Sequence, residues 1–193
     1  MGTAGLAQAS RELEMAILRT TNLTIRPCSP ADRADFMDLE RDPEVMRFLN
    51  GGPVDHATVD PEKVTFLMPR GTEPHVWTAR RSRNDEFVGW FCLFPESRAL
   101  AEIGYRLCRG CWGQGLASEG ASALVDWGFG DGGYDRIIAC TMAVNHGSRR
   151  VMEKIGMKHT RTDFSDFPAP IPGSGDGEVW YELTRMAWRR RQR

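Results

Sequence analysis

The spacing of apolar and polar positions predicts short helices in the first part of the chain. Three helix starts stand there, each a capping residue followed by proline: Ser29-Pro30, Asp42-Pro43 and Asp60-Pro61. A capping side chain and a proline in the first turn are typical of a helix N-terminus. We predict that the second helix ends at Gly51-Gly52 and the third before Pro69. Another short amphipathic helix is predicted around Ser10–Arg19.

Strand patterns, rich in aromatic and β-branched residues, dominate from residue 75 onward. Including one early strand, the predicted strands are Leu23–Pro27, His75–Arg81, Glu86–Phe94, Ala99–Leu107, Arg136–Ala143, Met157–Phe164 and Glu178–Met186. Two helices are predicted among them, at Leu116–Trp127 and His146–Ile155, and a Pro/Gly-rich loop at residues 165–177. Ala99–Leu107 alternates, which places Ile103 and Tyr105 on one face and Glu102 on the other.

Composition and charge exclude several classes of protein. The 193 residues include 25 Lys+Arg against 26 Asp+Glu, and 41% are hydrophobic. These values are ordinary for a globular domain, and a net charge near zero disfavours a protein that mainly binds nucleic acid or an anionic membrane. The sequence contains no apolar run of the about 20 residues that a membrane span requires. Charged residues near the N-terminus disfavour a signal peptide, so we predict a cytoplasmic location.

The cysteines and histidines indicate no metal site. Of five scattered cysteines, only Cys108 and Cys111 have C-x-x-C spacing, and the four histidines show no ligand spacing. A redox pair at Cys108 and Cys111 is kept as an alternative to chance spacing. We predict chemistry that needs neither a metal nor a cysteine nucleophile.

The most informative segment is C-W-G-Q-G-L-A-S-E-G at residues 111–120. It follows a predicted strand and begins a predicted helix. Gly113 and Gly115 can adopt positive φ and let the backbone approach an anion, and the helix N-terminus adds free N–H groups. The segment lacks the lysine of a P-loop, and Ser118 replaces the third small residue of a dinucleotide fingerprint. It favours a pyrophosphate-bearing ligand, with a simple turn as the alternative.

A second segment, N-H-G-S-R-R-V-M-E-K-I-G-M, occupies residues 145–157. Asn145 follows a predicted strand and can cap the next helix, and Ser148 lies one turn later on the same side. Both are also ordinary helix-start residues. No G-x-S-x-G sequence surrounds Ser148, which disfavours a hydrolytic nucleophile.

Taken together, the two segments resemble the GNAT acetyltransferase superfamily, and most of all its RimJ/RimL branch. The resemblance extends from Leu23 to Met186 and includes A-E-I-G-Y at residues 101–105. It implies an α/β (α+β) fold, a mixed and mostly antiparallel central sheet flanked by helices, with a splayed gap between core strands 4 and 5. We divide the chain into an N-terminal arm or short helix at residues 1–21, an N-acetyltransferase domain at 22–187 and a basic, solvated tail at 188–193.

The resemblance implies that acetyl-CoA is the cosubstrate and that its acetyl group moves directly to a primary amine. Backbone N–H groups from Gly113 through Ala117 would hold the pyrophosphate, the gap would hold the pantetheine arm, and Asn145 would contact that arm. The predicted cofactor-binding residues are Leu107, Gly113, Gln114, Gly115, Leu116, Ala117, Ser118 and Asn145.

Ser148 and Glu102 are the predicted catalytic residues. The resemblance places Ser148 near the thioester sulfur, and Met152 replaces the tyrosine that relatives use as general acid. We expect Glu102, on the polar face of its strand, to accept the amine's proton through water. Pairing with Arg106 or with a neighbouring strand is the alternative for Glu102.

We expect a protein or peptide α-amine as the acceptor. A small-molecule amine, such as a polyamine or an antibiotic, is one alternative, and a non-catalytic acyl-CoA-binding module is another. The predicted partners are therefore acetyl-CoA and an amine acceptor, without nucleic acid or membrane, and a homodimer is left open.

Overall fold

The computed structural model describes residues 16–49, 52–58, 70–164 and 171–192. Its strands form one eight-stranded sheet: β1 Leu18–Arg19, β2 Leu23–Pro27, β3 Val76–Arg81, β4 Phe87–Pro95, β5 Leu100–Leu107, β6 Arg136–Met142, β7 Lys158–Asp163 and β8 Glu178–Thr184. The α-helices of these residues are α1 Arg33–Arg41, α2 Pro43–Met46, α3 Leu116–Phe129, α4 His146–Lys154 and α5 Arg185–Arg191. Not one of them is long and apolar enough to cross a membrane.

The strand order is β1-β2-β3-β4-β5-β6-β8-β7, and β5-β6 is the parallel pair in an otherwise antiparallel sheet. The β5-β6 ladder has three residue pairs, the last of them Glu102 with Ile138. Both strands continue, to Leu107 and Met142, but no further pair joins them in this part of the chain. The predicted mixed sheet with a gap is therefore confirmed. Core strands 4 and 5 are here β5 and β6, because β1 precedes them.

Each face of the sheet carries its own apolar core. On one face, side chains of α3 and α4 pack on β5, among them Leu116, Leu124, Met152, Ala101 and Ile103. Gly120 brings α3 close to the sheet, since a Cβ there would lie 2.2 Å from the ring of Phe91. On the opposite face, α1 packs Phe36 and Leu39 against Trp90 and Cys92 of β4.

The predicted strands and the two later helices are confirmed to within a few residues, and the differences lie in the first part of the chain and at its C-terminal end. The helix predicted up to Arg19 is wrong at Leu18–Arg19, which pair with Ile25 and Thr24 as β1. The helix predicted from Asp42 ends at Met46, where Leu49 N bonds Met46 O in a tighter turn. The remainder of the N-terminal helix, Gly51 and the helix predicted after Asp60 lie outside the described residues.

Residues 188–191 of the predicted solvated basic tail belong to α5; Arg189–Arg191 are exposed, as expected of a solvated tail, whereas Trp188 is half-buried. Thr184 caps this helix by accepting from Ala187 N. The Trp188 ring lies 5.5 Å from that of Phe129, and its Nε1 donates to Asp126 Oδ1 at 2.6 Å. An indole that packs and donates in this way anchors the helix to α3. Of the predicted loop at 165–177, the described part contains a 3₁₀ turn at Ser174–Asp176.

Candidate active site

The gap in the sheet lies between two strand-to-helix junctions. At the first junction, β5 leads through residues 108–115 into α3. Gly113 and Gly115 have φ of 72° and 82°, and a Cβ on either glycine would meet nothing within 4 Å. No side chain caps α3. The first N–H groups of a helix have no intrahelical partner, so the loop presents donors to an open space that suits an anion.

Side chains of the protein itself hold this loop in shape. Gln114 Nε2 donates to Gly110 O at 2.6 Å, and Arg81 Nη2 donates to Gln114 Oε1 at 2.6 Å. The polar side-chain atoms of Gln114 are therefore engaged within the protein, and its backbone N–H is the group left for a cofactor.

At Leu107, at the end of β5, the backbone carbonyl is already used by a side chain of the protein. Cys108 N bonds Val88 O on β4, so the backbone groups of Leu107, one residue earlier, point the other way. Trp112 Nε1 donates to the carbonyl of Leu107 at 2.8 Å, although 47% of this tryptophan is exposed. This contact uses the Leu107 carbonyl and does not involve the Leu107 N–H.

Glu119, in the first turn of α3, was missed by the sequence analysis. Its carboxylate accepts from Thr20 Oγ1 at 2.6 Å, from Asn22 N at 2.7 Å and from Asn22 Nδ2 at 2.9 Å. Burial alone would raise the pKa of Glu119, but these hydrogen bonds outweigh it and lower the pKa. Glu119 thus fastens the start of α3 to the turn between β1 and β2.

At the second junction, β6 leads into α4, and a side chain caps the N-terminus of this helix. Asn145 Oδ1 accepts from Ser148 N at 3.2 Å, and Asn145 Nδ2 donates to Thr141 Oγ1 at 3.1 Å. The capping role of Asn145 is therefore confirmed. Its contact with the cofactor arm stays a prediction.

The hydroxyl of Ser148 lies 3.0 Å from that of Tyr105, which also donates to Ser148 O at 3.0 Å. Tyr105 stands on β5, three residues beyond the last β5-β6 pair, so this contact joins β5 to α4 at the open part of the gap. Burial raises the pKa of Tyr105, with the bond to Ser148 opposing it, and the hydroxyl stays protonated at neutral pH. Alternation placed Tyr105 on the apolar face, but its partner depends on how α4 docks.

Glu102 lies at the last β5-β6 pair, between the inward-facing Ala101 and Ile103, and so points to the opposite face of the sheet. Its Oε1 lies 3.8 Å from Cys140 Sγ on β6. Burial, and after it the charge of Glu96, raise the pKa of Glu102. Of the two partners considered for Glu102, the neighbouring strand supplies Cys140, whereas Arg106 donates to Glu40 at 2.7 Å.

A second carboxylate, Glu178 at the start of β8, was also missed by the sequence analysis. It pairs with Met142 across β6-β8, and its charge contributes to the raised pKa of Glu102. Burial, and then the charge of Asp163, raise the pKa of Glu178 itself. Only the register of β6 against β8 brings Glu178 towards Glu102, and that register is not visible in the sequence.

The thiols near the site are poor nucleophiles. Burial raises the pKa of Cys108 to about 11 and that of Cys140 to about 12. A protonated thiol neither attacks a thioester efficiently nor forms a reactive redox pair, so a redox role for Cys108 and Cys111 is disfavoured. In the described ranges, no group of three or more His, Cys, Asp and Glu side chains could hold a metal ion.

A family model described as Acetyltransferase (GNAT) domain matches residues 22–158. The chain belongs to the GNAT acetyltransferase family. This acetyltransferase is 34% identical over 186 residues to the FsC-acetyl coenzyme A-N(2)-transacetylase of Aspergillus fumigatus, covering 91% of this chain and 79% of that protein. It is 32% identical over 149 residues to the uncharacterized protein YkkB of Bacillus subtilis, covering 75% and 87%.

Solved structures share the fold of this acetyltransferase. A GNAT-family acetyltransferase from Bacillus anthracis has a TM-score of 0.74 at 23% identity, covering 89% of this chain and 99% of that one. The spermidine N-acetyltransferase of Vibrio cholerae, in complex with CoA and spermine, has a TM-score of 0.70 at 14% identity, covering 88% and 99%. The chain is thus an N-acetyltransferase, and acetyl-CoA is its cosubstrate. The open glycine loop and the gap beside it fit that molecule.

Proposed function

We propose that this enzyme acetylates a primary amine of a small cationic molecule. The observation that carries the proposal is the half-buried Glu102, with the charges of Glu96 and Glu178 near it, beside the gap on the face away from α3 and α4. A carboxylate there attracts an ammonium group and can take its proton. The relative from Aspergillus, named as an N(2)-transacetylase, supports an amine acceptor, and the spermidine N-acetyltransferase shows that this fold can accept a small polyamine. A protein or peptide α-amine, as expected from the RimJ/RimL resemblance, is the alternative.

In this proposal acetyl-CoA binds along the first junction and the gap. The pyrophosphate rests on the backbone N–H groups of residues 113–117, with the hydroxyl of Ser118 added. The pantetheine arm pairs with Leu107 N–H and passes Asn145. The support is the positive φ and open space at Gly113 and Gly115, together with the uncapped start of α3.

Transfer then proceeds without a covalent enzyme intermediate. An alkylammonium with a pKa of about 10 must lose a proton before it attacks, and Glu102 accepts that proton through water. The amine nitrogen bonds the thioester carbon and loses its second proton to solvent, the C–S bond breaks, and the sulfur keeps the electron pair. The Ser148 hydroxyl donates a hydrogen bond to that thiolate. Met152, at the position where relatives carry a tyrosine, is buried in the core and offers no proton.

An acceptor screen tests the proposed function. Labelled acetyl-CoA is incubated with spermidine, an aminoglycoside and a peptide with a free α-amine, and the products are identified by mass spectrometry. We expect kcat/KM for a small polycation to exceed that for the peptide by at least roughly tenfold, as an ion pair with a half-buried carboxylate implies. Preference for the peptide would overturn the small-molecule proposal. Binding of CoA without transfer to any amine would indicate a non-catalytic module.

Glu102→Gln should remove the rising acidic limb from the pH profile of kcat/KM. The base works only when ionised, so wild-type activity rises with pH through a pKa above that of an ordinary glutamate, and glutamine has no such step. Glu96→Gln is the matched control: without its negative charge the limb should persist but move to lower pH. A wild-type profile in Glu102→Gln would leave another carboxylate, such as Asp163, as the proton acceptor.

Ser148→Ala should lower kcat by roughly 10- to 1,000-fold and leave the KM for acetyl-CoA within a few fold. The hydroxyl contacts the sulfur most strongly as the C–S bond breaks, so its loss affects the transition state rather than binding. Ser118→Ala, the matching serine in the first turn of α3, should instead raise KM with little change in kcat. Single-turnover measurements ensure that chemistry is observed, and a wild-type rate for Ser148→Ala would reduce Ser148 to a helix-start residue.

A further inference from the structure

The hydroxyl of Tyr105 has one proton to donate, but two oxygen atoms of Ser148 lie within hydrogen-bond distance of it. The phenol oxygen lies 3.0 Å from both the carbonyl oxygen and the hydroxyl oxygen of Ser148. A phenol has one proton and can also accept. The two short distances therefore allow two arrangements of the protons, and these give the Ser148 hydroxyl opposite roles.

In the first arrangement Tyr105 donates to the Ser148 carbonyl, and the Ser148 hydroxyl donates to Tyr105. The proton of Ser148 is then consumed within the protein. In the second arrangement Tyr105 donates to Ser148 Oγ, and the proton of Ser148 is free for a third acceptor. Only the second allows Ser148 to donate to a sulfur in the gap.

We propose that Tyr105 is a positioning residue that directs the proton of Ser148 to the departing sulfur of CoA. The proposal rests on the role of Ser148 given above. As the C–S bond breaks and the sulfur takes up its electron pair, Ser148 donates to the sulfur and Tyr105 donates to Ser148 Oγ. Tyr105 keeps its proton throughout. The first proton lost by the amine leaves through Glu102 and water, the second passes to solvent as the amide forms, and the thiolate is finally protonated by solvent.

The surroundings of Tyr105 suit a fixed donor. Its ring lies 6.2 Å from that of Phe91, tilted by 46°, and packs against the core beneath α3. Burial keeps its hydroxyl protonated, so it cannot compete as an acceptor of the amine's proton. Within the described residues, both hydrogen bonds of the Tyr105 hydroxyl go to Ser148, so a change at its oxygen acts first on that residue.

The thiol pKa of bound CoA is the measurement that tests this proposal, and it requires no acceptor. Saturated complexes with CoA are titrated by following thiolate absorbance in the ultraviolet. A donor to the thiolate lowers this pKa, and a hydrogen bond to a charged group contributes about one pKa unit, or tenfold in the equilibrium. We expect Ser148→Ala to raise the pKa by about one to two units and Tyr105→Phe by about one unit.

The double variant separates an effect through Ser148 from a direct one. If Tyr105 acts through Ser148, Tyr105→Phe adds nothing to Ser148→Ala. An equal further shift in the double variant would overturn the positioning role. A Ser148→Ala complex with a wild-type pKa would refute the proposed role of Ser148. A shift for Ser148→Ala with none for Tyr105→Phe would refute only the present inference.

Two controls exclude a merely structural role. Tyr181 also ties α4 to the sheet, since its hydroxyl donates to Glu153 Oε1 at 3.1 Å and accepts from Arg149 Nε at 3.2 Å. Tyr181→Phe should leave the pKa of bound CoA unchanged. Placing 3-fluorotyrosine at position 105 keeps the ring and strengthens the donor, so the pKa should fall. A rise or no change there would overturn the proposal even if Tyr105→Phe failed to fold.

Discussion

The two helices that begin beside the gap start in opposite ways. α3 begins at Gly115, where no side chain caps the helix and a Cβ would meet open space. α4 begins at Asn145, whose side chain accepts from Ser148 N. Both helices follow strands that are neighbours in the sheet. The difference teaches that an uncapped start leaves its donors for a ligand, whereas a capped start uses them to fix a side chain, here Ser148.

The largest effect on CoA binding is expected at the first junction, where α3 begins without a cap. Gly115→Asp should weaken CoA binding at least about 100-fold, because a carboxylate would occupy the space of the pyrophosphate and a non-glycine residue disfavours φ of 82°. Isothermal titration calorimetry with CoA measures this directly.

Gly133→Asp provides the matched control for Gly115→Asp. Gly133 has φ of 73°, a Cβ there would also meet nothing within 4 Å, and it lies past the opposite end of α3. Its variant should show the same backbone strain with CoA affinity within about twofold of wild type. Equal loss in both variants would mean that Gly115 matters for folding and not for phosphate.

A smaller effect, on stability and kcat, is expected at the second junction, where Asn145 caps α4. Asn145→Ala removes the cap of α4 and should cost about 1 kcal/mol of stability and lower kcat roughly tenfold, because Ser148 N loses its acceptor. Thermal unfolding and single-turnover rates check the two parts.

The cap of α5 provides a control in which a similar loss of stability is expected. Thr184→Ala removes the acceptor of Ala187 N and should cost about the same stability while leaving kcat unchanged. Asn145→Asp keeps a capping oxygen and should restore most of the stability. A wild-type kcat in Asn145→Ala would show that Ser148 does not depend on the cap.

The smallest effect on CoA binding is expected from the side chains that hydrogen-bond within the glycine loop before α3. Gln114→Ala removes the donor to Gly110 and the acceptor for Arg81 but keeps the backbone N–H, so CoA affinity should fall about fivefold, as for one or two neutral hydrogen bonds. The Gln114→Ala and Arg81→Met variants should not be additive in CoA titrations. A Gln114→Ala loss as large as that of Gly115→Asp would assign the side chain, and not the backbone, to the phosphate.

The sequence predicts those parts of the site that are local. Glycines between a strand and a helix, and asparagine before a helix, are short-range patterns, and the structure reproduces their geometry at Gly113, Gly115 and Asn145. Contacts such as Tyr105 with Ser148, separated by 43 residues, depend on how elements dock and leave no local signal. The same holds for β1, because two residues are too few to show an alternating pattern and only their pairing with β2 makes them a strand.

The β5-β6 ladder has a consequence for how the chain assembles. The neighbouring ladders, β4-β5 and β6-β8, each contain seven residue pairs, whereas this one contains three. A parallel pair also needs a crossover, here the whole of α3, so its loop closes later than the β4-β5 hairpin. We expect the gap-facing amides of β5 to exchange with solvent deuterium before those bonded to β4. In the proposed binding mode, acetyl-CoA lies along the line where we expect the two half-sheets to join last.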